Sequence, residues 1–203
     1  MENKFAKTIS ILFHPVLIPS WFTLILFGSN TYISLLIPMK FVLFTMIFIT
    51  TALFPLLFVA MMARRKIIGD IYLKKREDRI YPFAITVLFY FLSYYLIRKL
   101  PVYDVFSMFL LGSTFIVVFS LLISFFWKIS THLMGIGGLL GGLSGIDIRL
   151  NLDFTAMIIL GLIVSGLLGF ARLKLNAHKP LQVYVGFLIG FFVMLAIFLV
   201  ATI

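Results

Sequence analysis

The sequence contains no cysteine and little charge: Asp, Glu, Lys and Arg make up 12% of its 203 residues, and seven of them are acidic. The missing thiol excludes cysteine nucleophiles, thiolate metal sites and disulfides, and leaves the redox compartment open. The scarcity of charge excludes a soluble domain, because a chain that is 63% hydrophobic has more apolar surface than so few charges can cover. A bilayer accommodates such a chain, so the composition reads as an integral membrane protein. A separate soluble domain, a long linker, a low-complexity tract and an internal repeat are also missing from the pattern. The charged segment from Met1 to Lys7 precedes an apolar run without a small-residue cleavage site, which reads as an uncleaved first span.

What is present is apolar runs of membrane-crossing length. Stretches of roughly 17–25 apolar residues cross a bilayer as helices, and six are expected near 11–27, 41–63, 83–97, 105–126, 154–170 and 183–202. A seventh, near 130–144, is short and rich in glycine. Glycine lets membrane helices approach closely, so this segment reads as a tightly packed central helix, with a re-entrant loop as the alternative. The expected fold is an all-α polytopic bundle of six to seven transmembrane helices, forming a single membrane domain over 1–203.

The formal net charge of +10 would fit nucleic acid, but the cations gather at span ends, where anionic headgroups or a phosphorylated substrate are the fitting partners. Seven spans put the N-terminus and the connections at 64–82, 127–132 and 171–182 on one side, which holds most of the cations. The other side keeps Lys40, Arg98, Lys99 and Arg149. The positive-inside rule makes the cation-rich side cytoplasmic.

The same side carries all three histidines, His14, His132 and His178. Cleaving a phosphate ester at a membrane surface needs cations to bind the phosphoryl oxygens, a nucleophile for phosphorus and an acid for the departing oxygen. Histidine fits either of the last two roles. Pro180 is a good first helical residue, which leaves His178 just outside a helix N-terminus, where an anion is favoured. Ser130 fits the N-cap of the glycine-rich helix, with His132 in its first turn. Each feature also has a plain structural reading. Arg172, Lys174 and Lys179 can be interfacial anchors that snorkel from span ends, and Arg64, Arg65 and Lys66 a headgroup patch. His14, ahead of Pro15, reads as structural. Two histidines without a paired carboxylate motif fall short of a metal ligand set, so neither a metal nor a cofactor is expected.

These residues resemble the type 2 phosphatidic acid phosphatase superfamily, whose motifs run Lys-x6-Arg-Pro, Pro-Ser-Gly-His and Ser-Arg-x5-His-x3-Asp. Here the first reads Lys74-x6-Tyr81-Pro82 and the second Ile129-Ser130-Thr131-His132. The third reads Ala171-Arg172-x5-His178-x3-Gln182, so the resemblance covers a core of about 70–190. It implies that His178 is a nucleophile forming a phosphohistidine and His132 the acid for the leaving group. Lys74, Ser130 and Arg172 would bind phosphoryl oxygens, with Arg79 or Arg76 supplying the guanidinium that Tyr81 lacks, Arg79 being preferred.

The implied activity is metal-independent hydrolysis of a lipid phosphate or polyprenyl diphosphate in a bacterial inner membrane, where many members of the family face outward. Gln182 stands where the family has an aspartate that orients and charge-stabilises the nucleophilic histidine. Its amide can accept the ring proton but cannot stabilise an imidazolium. In serine proteases the neutral replacement of the orienting carboxylate costs roughly 10⁴ in rate. Asp70, Glu77 and Asp78 in the basic loop are the acidic residues able to compensate. Two other readings follow: a catalytically degenerate relative that binds or moves a lipid phosphate without cleaving it, and an unrelated transporter or scaffold in which the motifs do not converge.

Overall fold

In the hydrocarbon of a bilayer every backbone amide must be satisfied within the protein, and for an open chain the helix does this within each segment. The computed structural model, which describes residues 2–29, 31, 39–71, 73, 75–100 and 104–200, follows that requirement. It is 82% helical, with no strand among the described residues. Among the described residues, seven helical spans are long and apolar enough to cross a membrane: Asn3–Gly28, Lys40–Arg64, Glu77–Ile97, Asp104–Ser124, Thr131–Leu150, Thr155–Lys174 and Pro180–Val200. The chain is an all-α polytopic integral membrane protein. The glycine-rich segment is a continuous helix of 20 residues rather than a re-entrant loop.

The chain forms two compact units, Met1–Ile18 with Lys128–Ile203, and Pro19–Trp127. The motif-bearing stretch near 70–190 draws residues from both.

The first unit contains α1 (Glu2–Leu12) and a 3-10 turn at Pro15–Leu17. Proline disfavours the helical conformation in the residue before it; His14 is accordingly extended, at φ −63° and ψ 136°, and breaks the first span there. The second unit begins with α2 (Ile18–Gly28), α3 (Lys40–Phe48) and α4 (Phe54–Arg64). A π-helical turn, Ile49–Leu53, joins α3 to α4. Pro55, on the α4 side of that turn, has no N–H for the usual ladder, and a wide turn is one way of absorbing the loss. After it come α5 (Ile80–Ile97) and α6 (Asp104–Ser124).

The chain then returns to the first unit with α7 (Thr131–Leu150), α8 (Thr155–Lys174) and α9 (Pro180–Val200). Helices α7 and α9 form the most extensive helix pair. A Cβ on Gly137 would overlap the Phe187 carbonyl, one on Gly141 the Phe191 carbonyl, and one on Gly190 the Met134 carbonyl. The two backbones therefore touch, as small residues allow in membranes. Helix α1 packs along α8, burying Ala6 and Ser10 one turn apart.

The second unit is built on rings instead. Phe22 stacks on Phe109 with centroids 3.7 Å apart and meets Phe106 edge-on, while Thr50 donates to Ser93 at 2.8 Å between the π turn and α5.

Candidate functional site

The polar residues of the first unit gather where α8 ends and α7 and α9 begin, and local chain geometry brings them there. Helix α8 closes with a Schellman-type cap. The Ala177 N–H reaches the Arg172 carbonyl at 3.1 Å, and the Asn176 N–H the Leu173 carbonyl at 2.9 Å. Asn176 occupies the left-handed region at φ 50°, which asparagine tolerates best after glycine. The cap turns the chain sharply, so that Arg172 and His178 fall on opposite arms of one turn.

Helix α9 opens with half of a capping box. Gln182, three residues after Lys179, accepts the Lys179 N–H on Oε1 at 3.0 Å, as an N3 Gln or Glu does. The same Oε1 lies 3.2 Å from His178 Nδ1. A backbone N–H can only donate, so the Lys179 bond identifies that amide atom as the oxygen. An oxygen in turn requires His178 Nδ1 to carry the proton. In the neutral ring the lone pair therefore sits on Nε2, and His178 and Gln182 are both buried.

Ser130 occupies the N-cap position of α7, as expected, but its hydroxyl makes no capping bond. Its backbone N–H donates instead to the Gln182 carbonyl at 3.2 Å, so the first turns of α7 and α9 are tied together. Gly186 makes room for this, since a Cβ there would lie 2.8 Å from the Ser130 carbonyl. Two residues on, His132 Nε2 lies 3.1 Å from the Ser10 carbonyl in the last turn of α1. A carbonyl accepts, so His132 donates from Nε2 and its exchangeable position is Nδ1, the mirror image of His178. The ring of His14 meets that of His132 edge-on, with centroids 5.3 Å apart. Arg172 acts electrostatically on both His14 and His132, and His178 on His132.

Four buried atoms of this unit have no hydrogen-bond partner: Ser10 Oγ, His14 Nδ1, Ser130 Oγ and Arg172 Nε. Each such group costs about 1–3 kcal/mol, and more where it is charged. Arginine Nε–H can only donate, so a group that satisfies it must bring an acceptor, whereas the two hydroxyls and the imidazole nitrogen can donate or accept.

Of the residues expected at the site, His132, His178, Gln182, Ser130 and Arg172 come together in this unit. Lys74 lies outside the described residues. Arg79 belongs to the second unit, where it is buried and its Nε donates to the Leu73 carbonyl at 3.1 Å. Tyr81 is 60% exposed. In the same loop Asp78 Oδ1 accepts the Gly69 N–H at 3.1 Å, and Glu77 pairs with Arg76 at 2.8 Å. Among the described residues the hydrogen-bond partner of His178 Nδ1 is the Gln182 amide.

No side-chain motif marks the part played by α1. Ser10 contributes through its main chain, which no side-chain pattern reveals. His14, read as structural, is a neighbour of His132; the signal available was its place beside Pro15 at a helix break. Searches of family models, curated proteins and solved structures found no match to this chain.

Proposed function

We propose that the chain is a membrane-embedded phosphatase of a lipid phosphate or diphosphate, working through a phosphohistidine on His178. The observation that carries this reading is the pair of oppositely held rings in a unit that also holds an unpartnered arginine Nε. Gln182 accepts the His178 Nδ1–H, which puts the neutral ring's lone pair on Nε2, and the Ser10 carbonyl accepts the His132 Nε2–H, which puts that ring's lone pair on Nδ1.

In the proposed reaction Arg172 and Ser130 bind the phosphoryl oxygens, and His178 Nε2 attacks phosphorus. The bond from phosphorus to the departing oxygen breaks as protonated His132 Nδ1 gives that oxygen its proton. Water then attacks the phosphohistidine, its proton returns to His132, and phosphate leaves with the His178 lone pair restored. The substrate class, a lipid phosphate or a polyprenyl diphosphate, and a place in a bacterial inner membrane belong to the same reading. Lys74 and Arg79, expected as further ligands, add nothing to its support.

The test is phosphate release by the purified full chain in lipid nanodiscs containing phosphatidic acid or a polyprenyl diphosphate. His178→Ala should lower the rate by roughly 10³-fold or more, in line with removal of a nucleophile, and equal release by the mutant overturns the mechanism. The neutral Gln182 favours one other reading, a relative that binds the lipid phosphate without cleaving it. That reading requires binding dependent on Arg172 and no release from either lipid.

A further inference from the structure

The phosphatase motifs leave His14 without a role, yet its ring carries a buried nitrogen that no group among the described residues satisfies. Its ring is set by the main chain. Pro15 forces the extended conformation, the His14 N–H donates to the Ile11 carbonyl at 3.2 Å, and the His14 carbonyl accepts the Leu17 N–H at 2.8 Å. The ring lies edge-on to His132, within electrostatic reach of Arg172. Its Nδ1 is buried without a hydrogen-bond partner, in the same unit as the equally unpartnered Arg172 Nε and Ser130 Oγ. A histidine serving only to fill space would carry an uncompensated polar atom at a cost in stability. An oxyanion within reach of these three groups would remove that cost for each of them.

We infer that His14 is a third ligand of the phosphoryl group, donating Nδ1–H to one of its oxygens beside Arg172 and Ser130. The inference rests on the phosphate reading above and extends it. It makes the break after α1 part of the site, so α1 contributes both the Ser10 carbonyl that holds His132 and, through the break, a direct contact to the ligand. No covalent step is involved, and the recognised chemistry is a phosphoryl oxyanion, whether on a lipid headgroup or as free phosphate.

Binding is measured on the purified full chain in phosphatidylcholine nanodiscs, titrated with inorganic phosphate in one arm and prepared with phosphatidic acid in the other. The arm in which the wild type binds identifies the source of the phosphoryl group. In that arm His14→Ala should weaken binding about 10- to 100-fold, as loss of a hydrogen bond to a charged group does. His14→Asn places its amide nitrogen where Nδ1 lies and should retain most of the affinity. His14→Gln reaches the Nε2 position instead and should not.

Wild-type affinity in His14→Ala, with binding lost in Arg172→Ala, overturns the role of His14 and leaves the phosphate site standing. Equal losses in the Ala, Asn and Gln variants, or failure of all three to fold as judged by thermal unfolding, make the residue structural and overturn the inference. Absence of wild-type binding in both arms overturns the inference together with the phosphate reading.

Discussion

Helices α7 and α9 of the first unit meet backbone to backbone through Gly137, Gly141 and Gly190, whereas α2 and α6 of the second meet ring to ring through Phe22 and Phe109. Buried polar groups follow the same division. In the second unit Thr23, Thr86, Thr114, Ser120 and Ser124 each bond a carbonyl four residues back on their own helix. Thr50 adds a bond to Ser93, and Ser20 Oγ, just past the unit boundary, is unpartnered. Ser165, midway along α8, is also satisfied locally, by the Leu162 carbonyl. The unpartnered groups of the first unit gather instead around its three histidines. Hydroxyls in a span ordinarily satisfy themselves at no cost to packing. Where they do not, the unpartnered groups cost stability, which is the contrast the proposed phosphate site accounts for.

The sharpest test of this contrast is on the glycine seam. Gly190→Leu must push the Met134 backbone away, which no rotamer avoids, and should leave no folded, monodisperse protein on size-exclusion chromatography. Phe22→Ala in the second unit should remain folded and lose about 3–5 kcal/mol in reversible denaturation. A Gly190→Leu protein as stable as the wild type would break the comparison.

A second test concerns charge. Gln182→Glu keeps the acceptor for Lys179 and His178 and supplies the missing anion at a helix N-terminus. Phosphate release should rise at least about tenfold, with roughly 10⁴ as the ceiling set by the protease analogy. An unchanged rate would show that the amide does not limit turnover.

The smallest effect is expected at the far end of α7, where Asp147 Oδ1 accepts the Phe154 N–H at 2.7 Å. Asp147→Ala should lower stability by about 1–3 kcal/mol. Its phosphate affinity, measured by the same titration, should stay within about twofold of the wild type, since distant sites act independently.

The spans were legible because length and apolar character alone decide which segments cross a bilayer. The bond from His178 to Gln182 was legible through the resemblance, which pairs that histidine with the residue four positions on. Ser130 shows where such reasoning stops: its spacing marked a cap position, and the structure keeps the position while sparing the hydroxyl from capping. The contact between His132 and the Ser10 carbonyl, 122 positions apart, left no trace in local pattern, and neither did the meeting of His14 with His132.

By itself, then, the sequence determined the membrane class and the helices, because those follow from the length and hydropathy of single segments. Tertiary structure alone decided which polar groups share a site. The approach of α7 to α9 depends on facing glycines, and the position of His14 depends on where α1 settles against α8. Both are properties of packed surfaces rather than of any single stretch of chain.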